Sequence, residues 1–405
     1  MLNTSGFREK IINDPVHGFI HVRSALVFKL IEHPWFQRLR RIRQLGLSEL
    51  VYPGATHTRF HHALGAMHLM STALDILKSK GVAISQEEHE AACAALLLHD
   101  IGHGPFSHTL ERSIVQGVSH EDISRMLMLR LDEMHNGALQ LARSIFAGTY
   151  ARPFFHQLIS GQLDMDRLDY LMRDSFYTGV SEGVVGADRI IHMLNVVNDE
   201  LVVEEKGIYS IEKFIIARRL MYWQVYLHKT VIAADNLLWK ILLRARELAG
   251  SGNTPASTDA LTYFLEGGGA EDEMLQRFVE LDDTDIQLAV KNWAGHSDRV
   301  LALLCQSLMN RRLPRIQLRN SAFSHPEIAE KTAGVCRVLG IEAKDAGYFV
   351  QTGELENEAY RSEGGGIQIL RKNGKVEDVA SASDNYSLQS LKTTVTKYYL
   401  SYWRE

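Results

Sequence analysis

The chain has 405 residues, 45% hydrophobic and 23% charged, with a formal net charge of −5 at pH 7. That balance excludes a disordered tail, a collagen-like rod and a disulfide-stapled miniprotein, and it argues against a surface coated with basic residues for gripping nucleic acid. Cys93, Cys305 and Cys336 form neither a metal-type pair nor an even disulfide set, and no run reaches the ~18 apolar residues that cross a bilayer.

The N-terminus lacks a positive-then-apolar export pattern, so a cytoplasmic address is expected. The first 22 residues, with Asp14-Pro15 and His17-Gly18 between short apolar runs, predict a β-hairpin or turn. From Leu26 to about Leu313 the pattern is mainly helical. Phe36, Leu39, Ile42 and Gln44-Leu45 recur at helical spacing up to Gly46, and a further helix is expected over 60–80, closed by Gly81. The segment 87–100 is apolar all round through Ala91–Leu98, the pattern of a helix buried inside a bundle. Helices are also predicted over 119–130, 152–162, 166–173 and 211–248, the last too long for one uncapped helix and so expected to be kinked or divided. Glycine-rich stretches around 249–270 read as loops or an insertion.

After Leu313 the character changes. Strand patterns at 314–318, 346–352, 367–371 and 397–403 alternate with helical ones at 327–339 and 388–394. The order β-α-β-β-α-β is that of a ferredoxin-like unit. The expected organisation is therefore mainly α: a helical body with a short N-terminal hairpin over residues 1–313, then a small α+β module over 314–405.

Twelve of the 18 histidines fall within the first 120 residues, which suggests a metal site or acid–base chemistry. In His99-Asp100-Ile101-Gly102-His103-Gly104 a histidine and an aspartate end the apolar helix. Adjacent helical side chains diverge by ~100°, so these two converge on one ion only where the backbone bends away. The bland alternative is a helix end with His99 hydrogen-bonded in the core. His61-His62 opens another helix, and Asp164, Asp166 and Asp169 crowd a short segment. Imidazoles and carboxylates together suit Mn, Fe, Zn or Mg, but spacing alone fits a solvated, capped helix face equally well.

The order His62, then His99-Asp100, then Asp166 resembles the H…HD…D signature of the HD superfamily of metal-dependent phosphohydrolases. Phe36-Gln37-Arg38-Leu39-Arg40, Gln44-Leu45-Gly46, Tyr52-Pro53-Gly54-Ala55 and Arg59-Phe60 are similar to the deoxynucleotide triphosphohydrolase branch. So are 99–108, Asp166-Arg-Leu-Asp-Tyr170 and Arg173-Asp174, and the likeness runs from about Asn13 to Lys229. The resemblance implies an HD-domain helical bundle holding a divalent metal on His62, His99, Asp100 and Asp166. It implies hydrolysis of a dNTP to deoxynucleoside and triphosphate by a metal-activated water. His108 is then the acid for the leaving 5′-oxygen and Glu111 its orienting carboxylate, with His103 and His120 contacting phosphate or supporting the acid.

A triphosphate needs several fixed cations, and Arg59, Arg167, and Arg218 or Arg219 with Lys229 are the candidates. Arg167 departs from the lysine usual at its position. Tyr170 and Asp174 resemble residues that meet the sugar, and Gln44 and Leu45 resemble residues lining sugar and base; Tyr226 and His228 are weaker likenesses. The basic run 37–43 reads as a solvated helix face, a nucleic-acid stripe being disfavoured by the absence of interleaved aromatics beyond Trp35 and Phe36. The family alternative is an activating nucleotide between subunits near Asn13, Gln37 and Arg40, with Glu32 where a guanine-reading aspartate is expected. The family also implies a dimer or tetramer; neither membrane nor nucleic acid is an expected partner. Two rival readings stand beside the dNTPase: an HD phosphohydrolase for another nucleotide, and a catalytically weak nucleotide sensor or nucleic-acid-binding protein.

Overall fold

A computed structural model describes residues 7–106, 117–358, 360, 365–384 and 394–403. The N-terminal hairpin is present, with strands Lys10–Asp14 and Gly18–Val22 pairing antiparallel. Its connection is tied by the Asp14 carboxylate, which accepts the backbone N–H of Val16 at 2.9 Å and of His17 at 3.0 Å. Gly18 follows at φ +75°, a left-handed turn that glycine adopts without strain.

Three helices place the site. Arg59–Ser79 lies between Gln86–Leu98 and Met165–Thr178. Ser85 and Glu88 form a reciprocal capping box that starts Gln86–Leu98, and the residues from Ala92 onward explain its depth: Ala94, Ala95, Leu96, Leu97 and Leu98 are all fully buried. Replacing one of those leucines by alanine is expected to cost about 2–5 kcal/mol. Past Leu98 the chain winds into tight turns, with the N–H of Ile101 on the Leu98 carbonyl and that of His103 on the Asp100 carbonyl. These turns swing His99 and Asp100 to one side, the bend that convergence on an ion requires. Among the described residues no helix is long and apolar enough to cross a membrane.

The 211–248 segment is divided as expected. Ile208–Met221 passes through a single π-helical turn, Tyr222–Tyr226, before Lys229–Gly250 begins, with the His228 imidazole capping the new helix through the Thr230 N–H. Two helices are shorter than their periodicity suggests. Over 36–45 the helix Pro34–Gln37 and the 3-10 turn Arg38–Arg41 stop early, because Ile42 and Gln44 are drawn into backbone hydrogen bonds with Arg59 and His57. Over 152–162 only Pro153–Gln157 is helical. A hairpin absent from the expectation joins Leu194–Val197 to Glu200–Glu204 through Asn198-Asp199, both at positive φ, the geometry of a tight two-residue hairpin turn.

The C-terminal strands do not assemble as a ferredoxin-like sheet. Val395–Tyr402 is central, with Arg315–Arg319 and Val350–Asn357 antiparallel on either side. The third expected strand, Gln368–Leu370, leaves that sheet and pairs parallel with Glu200–Glu204 of the helical body. The first half of the strand expected over 346–352 is the end of a 3-10 turn, Ala343–Tyr348. The helix expected over 388–394 lies, apart from its last residue, outside the described residues.

Candidate active site

His62 occupies the first turn of Arg59–Ser79, Asp166 the first turn of Met165–Thr178, and His99-Asp100 the end of Gln86–Leu98. His62 Nε2 lies 3.0 Å from Asp166 Oδ1 and 3.9 Å from Asp100 Oδ2. His99 Nε2 lies 3.5 Å from the same Asp166 oxygen and 3.2 Å from Asp100 Oδ1. Ligand atoms of His62, His99 and Asp166 all fall within 4.8 Å of one another. Asp100 borders this trio, its carboxylate shared with Arg59 at 2.5 Å and with His103 Nε2 at 3.2 Å.

The protons fix what this cluster can hold. His62 Nδ1 donates to Asp169 Oδ2 at 2.7 Å, and His99 Nδ1 donates to the Leu96 carbonyl at 2.6 Å. When both rings are neutral, as metal ligation requires, each turns an Nε2 lone pair toward carboxylate oxygens, an arrangement that repels unless a cation or a proton lies between them. The ionisation of the cluster registers the same demand. Burial opposes charge on His62, yet hydrogen bonds to Asp166 and Asp169 raise its pKa to about 10. Burial likewise opposes charge on His99, but Asp100 and Asp166 raise it. Asp166 is held far below the usual carboxylate range, its burial outweighed by the two imidazoles. Two imidazole nitrogens with one or two carboxylates fit a divalent first-row ion or magnesium.

Behind the candidate ligands stands a polar frame. Arg38, expected on a solvated face, is instead 1% exposed. It donates to the carbonyls of Leu281, Ile101 and His103, at 2.8, 2.9 and 2.9 Å, and so clamps the turn that follows Asp100. Burial brings its pKa down to about 10. Ser124 donates to the His99 carbonyl and accepts from Gly102 N. A Cβ on Gly102 would stand 2.2 Å from the His120 carbonyl oxygen, so only glycine lets the two elements meet this closely.

The cluster faces a cavity of about 630 Å³. Gln44, Leu45, Arg59, His99, Asp100, His103, His120, Asp166, Arg167, Tyr170, Asp174 and Tyr226 line it, which brings together most of the residues singled out in the sequence. Tyr226 donates to Asp174 at 2.8 Å, and the other oxygen of that carboxylate accepts from His57 at 2.7 Å. Arg167 donates to the Gly161 carbonyl at 2.7 Å and pairs with Asp164, the N-cap of its helix. His103 and His120 stack at 4.0 Å, and burial together with Arg59 pushes His103 well below the usual imidazole value.

Other expected residues lie elsewhere. Arg218 donates to Gln162, Lys229 begins a helix, and neither lines the cavity; Arg219 and His228 do not line it either. Asn13, Glu32 and Arg40 are exposed and Gln37 is half-buried, with Arg40 donating to Gln37 at 2.8 Å, away from the cavity lining. His108 and Glu111 fall outside the described residues. Cavity residues without a sequence expectation include Glu121, Arg125, Phe146, His156, Ile159 and Tyr222. No motif marks them, since they meet only through the packing of separate helices. Asp169 carried a usable signal: it lies three residues after Asp166, on the same helix face.

Comparison with known proteins agrees with this geometry. Residues 59–151 match the HD domain family and residues 185–249 match the HD associated region. The chain superposes on the crystal structure of a phosphohydrolase from Bacteroides thetaiotaomicron VPI-5482 with a TM-score of 0.95 at 51% identity, covering 98% of this chain and 100% of the other. It is 34% identical to the uncharacterized protein YwfO of Bacillus subtilis (strain 168), over 93% of this chain and 88% of that one. It is also 29% identical to the deoxynucleoside triphosphate triphosphohydrolase SAMHD1 of Homo sapiens, over 60% of this chain and 46% of that one. The chain belongs to the HD-domain family of metal-dependent phosphohydrolases, and within it resembles the deoxynucleoside triphosphate triphosphohydrolases.

Proposed function

We propose that the protein hydrolyses a deoxynucleoside triphosphate to a deoxynucleoside and inorganic triphosphate. The observation that carries this reading is one cavity lined by His99, Asp100 and Asp166, with His62 against them, Arg59 and Arg167 beside them, and a Tyr170–Tyr226–Asp174 face. Resemblance to relatives named deoxynucleoside triphosphate triphosphohydrolase supports the choice of substrate.

In the reaction, water oxygen joins the α-phosphorus and the bond to the 5′-oxygen breaks. A divalent ion held by the four candidate ligands would supply the activated water and offset phosphate charge. Arg59 and Arg167 provide fixed positive charge beside the candidate ligands, and the Nε of Arg59, buried without a partner among the described residues, is a donor available to a phosphate oxygen. The Tyr170 ring and the Asp174 carboxylate, its oxygens already committed to His57 and Tyr226, are positioned to read the sugar. The Gln44 side-chain oxygen, buried without a partner among the described residues, is left to accept from the nucleoside. His108, with Glu111, is assigned the proton that the 5′-oxygen takes. Arg218 and Lys229 have no part in this account. An activating nucleotide at Asn13, Glu32, Gln37 and Arg40 of a homo-oligomer belongs to the same proposal.

The test is a panel of dNTPs incubated with Mn-, Mg- or Fe-loaded protein, with and without dGTP, and identification of the products. Deoxynucleoside plus triphosphate supports the reading. Release of orthophosphate or of a monophosphate alone, or turnover only of a different nucleotide class, overturns the cleavage position or the substrate.

A further inference from the structure

Asp169 is fully buried and is not among the candidate ligands, yet it accepts four hydrogen bonds. Its Oδ2 takes the Nδ1 proton of His62 at 2.7 Å and the Nε proton of Arg173 at 2.9 Å. Its Oδ1 takes a second guanidinium proton at 2.9 Å and the Nε2 proton of His17 at 2.6 Å. Arg173, itself fully buried, turns its remaining donors to Asp14, at 2.8 and 3.3 Å. Asp14 and His17 are the last strand residue and the turn of the N-terminal hairpin, well over a hundred residues away in sequence. The network therefore runs from the hairpin turn to the back of His62.

The fit is tight enough to dictate a further residue. A Cβ on Gly65, one turn beyond His62, would lie 2.0 Å from Asp169 Oδ1 and 2.2 Å from Arg173 Nη2. Glycine at 65 leaves the space in which carboxylate and guanidinium lie against the helix. With an aspartate, an arginine and a second aspartate in a row, the charges alternate and none is left bare.

An imidazole that is to present Nε2 to a cation needs its Nδ1 proton held and its ring plane fixed. Asp169 does both for His62, but a buried carboxylate can rotate unless both of its oxygens are engaged. Arg173 reaches both oxygens from the same helix, and His17 closes the array from outside it. We infer that the N-terminal hairpin is a positioning element of the metal centre, with His17 and Asp14 fixing Asp169 and Arg173 so that His62 keeps its ligand orientation. The inference rests on the reading of His62 as a metal ligand.

Calorimetric titration of the full chain with Mn²⁺, in the absence of nucleotide, tests it in His17→Ala, His17→Gln and Asp14→Asn, with His21→Gln as a control on the same hairpin. His21 is partly exposed and, among the described residues, pairs with Glu9 at the surface, so its replacement should leave binding unchanged. Disturbed outer partners of metal-binding histidines typically weaken binding about 10–100-fold, the loss expected for His17→Ala. His17→Gln, whose amide restores a neutral donor, should recover most of the affinity, and Asp14→Asn should fall between. In assays at limiting Mn²⁺, kcat should drop while KM for the nucleotide stays. Equal Mn²⁺ affinity in wild type and His17→Ala overturns the inference and leaves the metal reading intact. If His17→Ala does not fold, His17→Gln decides: wild-type-like Mn²⁺ affinity supports a donor role and a loss as large as that of Asp14→Asn or larger overturns it. A wild-type chain that binds no divalent ion removes both.

Discussion

At and behind the floor of the cavity Asp100, His62 and Asp169 are 6%, 1% and 0% exposed, and each meets a partner of opposite charge or a committed donor. At its mouth Glu121 and Arg125 pair on the first turns of His120–Met134, with side chains 58% and 49% exposed. The floor is rigid because every polar group there would be costly if left alone in a low dielectric. The mouth pairs are solvated, and their partners can be exchanged for ligand atoms at little cost. Tolerance to substitution should therefore rise sharply from floor to mouth.

The largest effect should come from the candidate ligands. His99→Ala or Asp100→Ala should abolish nucleotide hydrolysis and Mn²⁺ binding together; turnover retained in both variants would remove the distinction at its root. Arg59→Ala comes next. It strips a buried carboxylate of its guanidinium, and breaking a buried pair from one side costs about 3–5 kcal/mol, seen as a lower unfolding temperature of the metal-free protein. Gly65→Ala should follow, since its methyl displaces Asp169 and Arg173; overpacking of this kind costs about 1–3 kcal/mol and here should also weaken Mn²⁺ binding. An unchanged melting temperature for Gly65→Ala would show that the space behind His62 is looser than the contacts imply. Arg125→Ala should do least. A stability change within about 0.5 kcal/mol, with a modest rise in KM and kcat preserved, is expected for an exposed pair.

The same contrast explains what could be read in the sequence. His62, His99, Asp100 and Asp166 are legible as candidate ligands because they sit at helix ends beside apolar runs, and because the surrounding motifs are ordered along the chain. Tyr170, Asp174 and Gln44 were legible through resemblance and do line the cavity. Arg38 departs from the expectation, since a run of arginines looks solvated until three carbonyls from distant segments are brought to one of them. His17 and Asp14 were visible only as turn residues, and their link to Asp169 exists solely in three dimensions. The Asn198-Asp199 hairpin leaves a local signal, two turn-forming residues between the apolar runs Val196-Val197 and Leu201–Val203, which the surrounding helical pattern outweighs. The strand at Gln368–Leu370 was placed correctly along the chain but not in space, because pairing partners of parallel strands leave no mark on the sequence.

A crystal of the protein soaked in Mn²⁺ and measured at the manganese absorption edge addresses the floor directly. The account predicts one anomalous peak, or a close pair, within bonding distance of His62 Nε2, His99 Nε2 and an oxygen of Asp166, with Asp169 still on His62 Nδ1. Manganese bound elsewhere, or those side chains turned away from a common point, would contradict it.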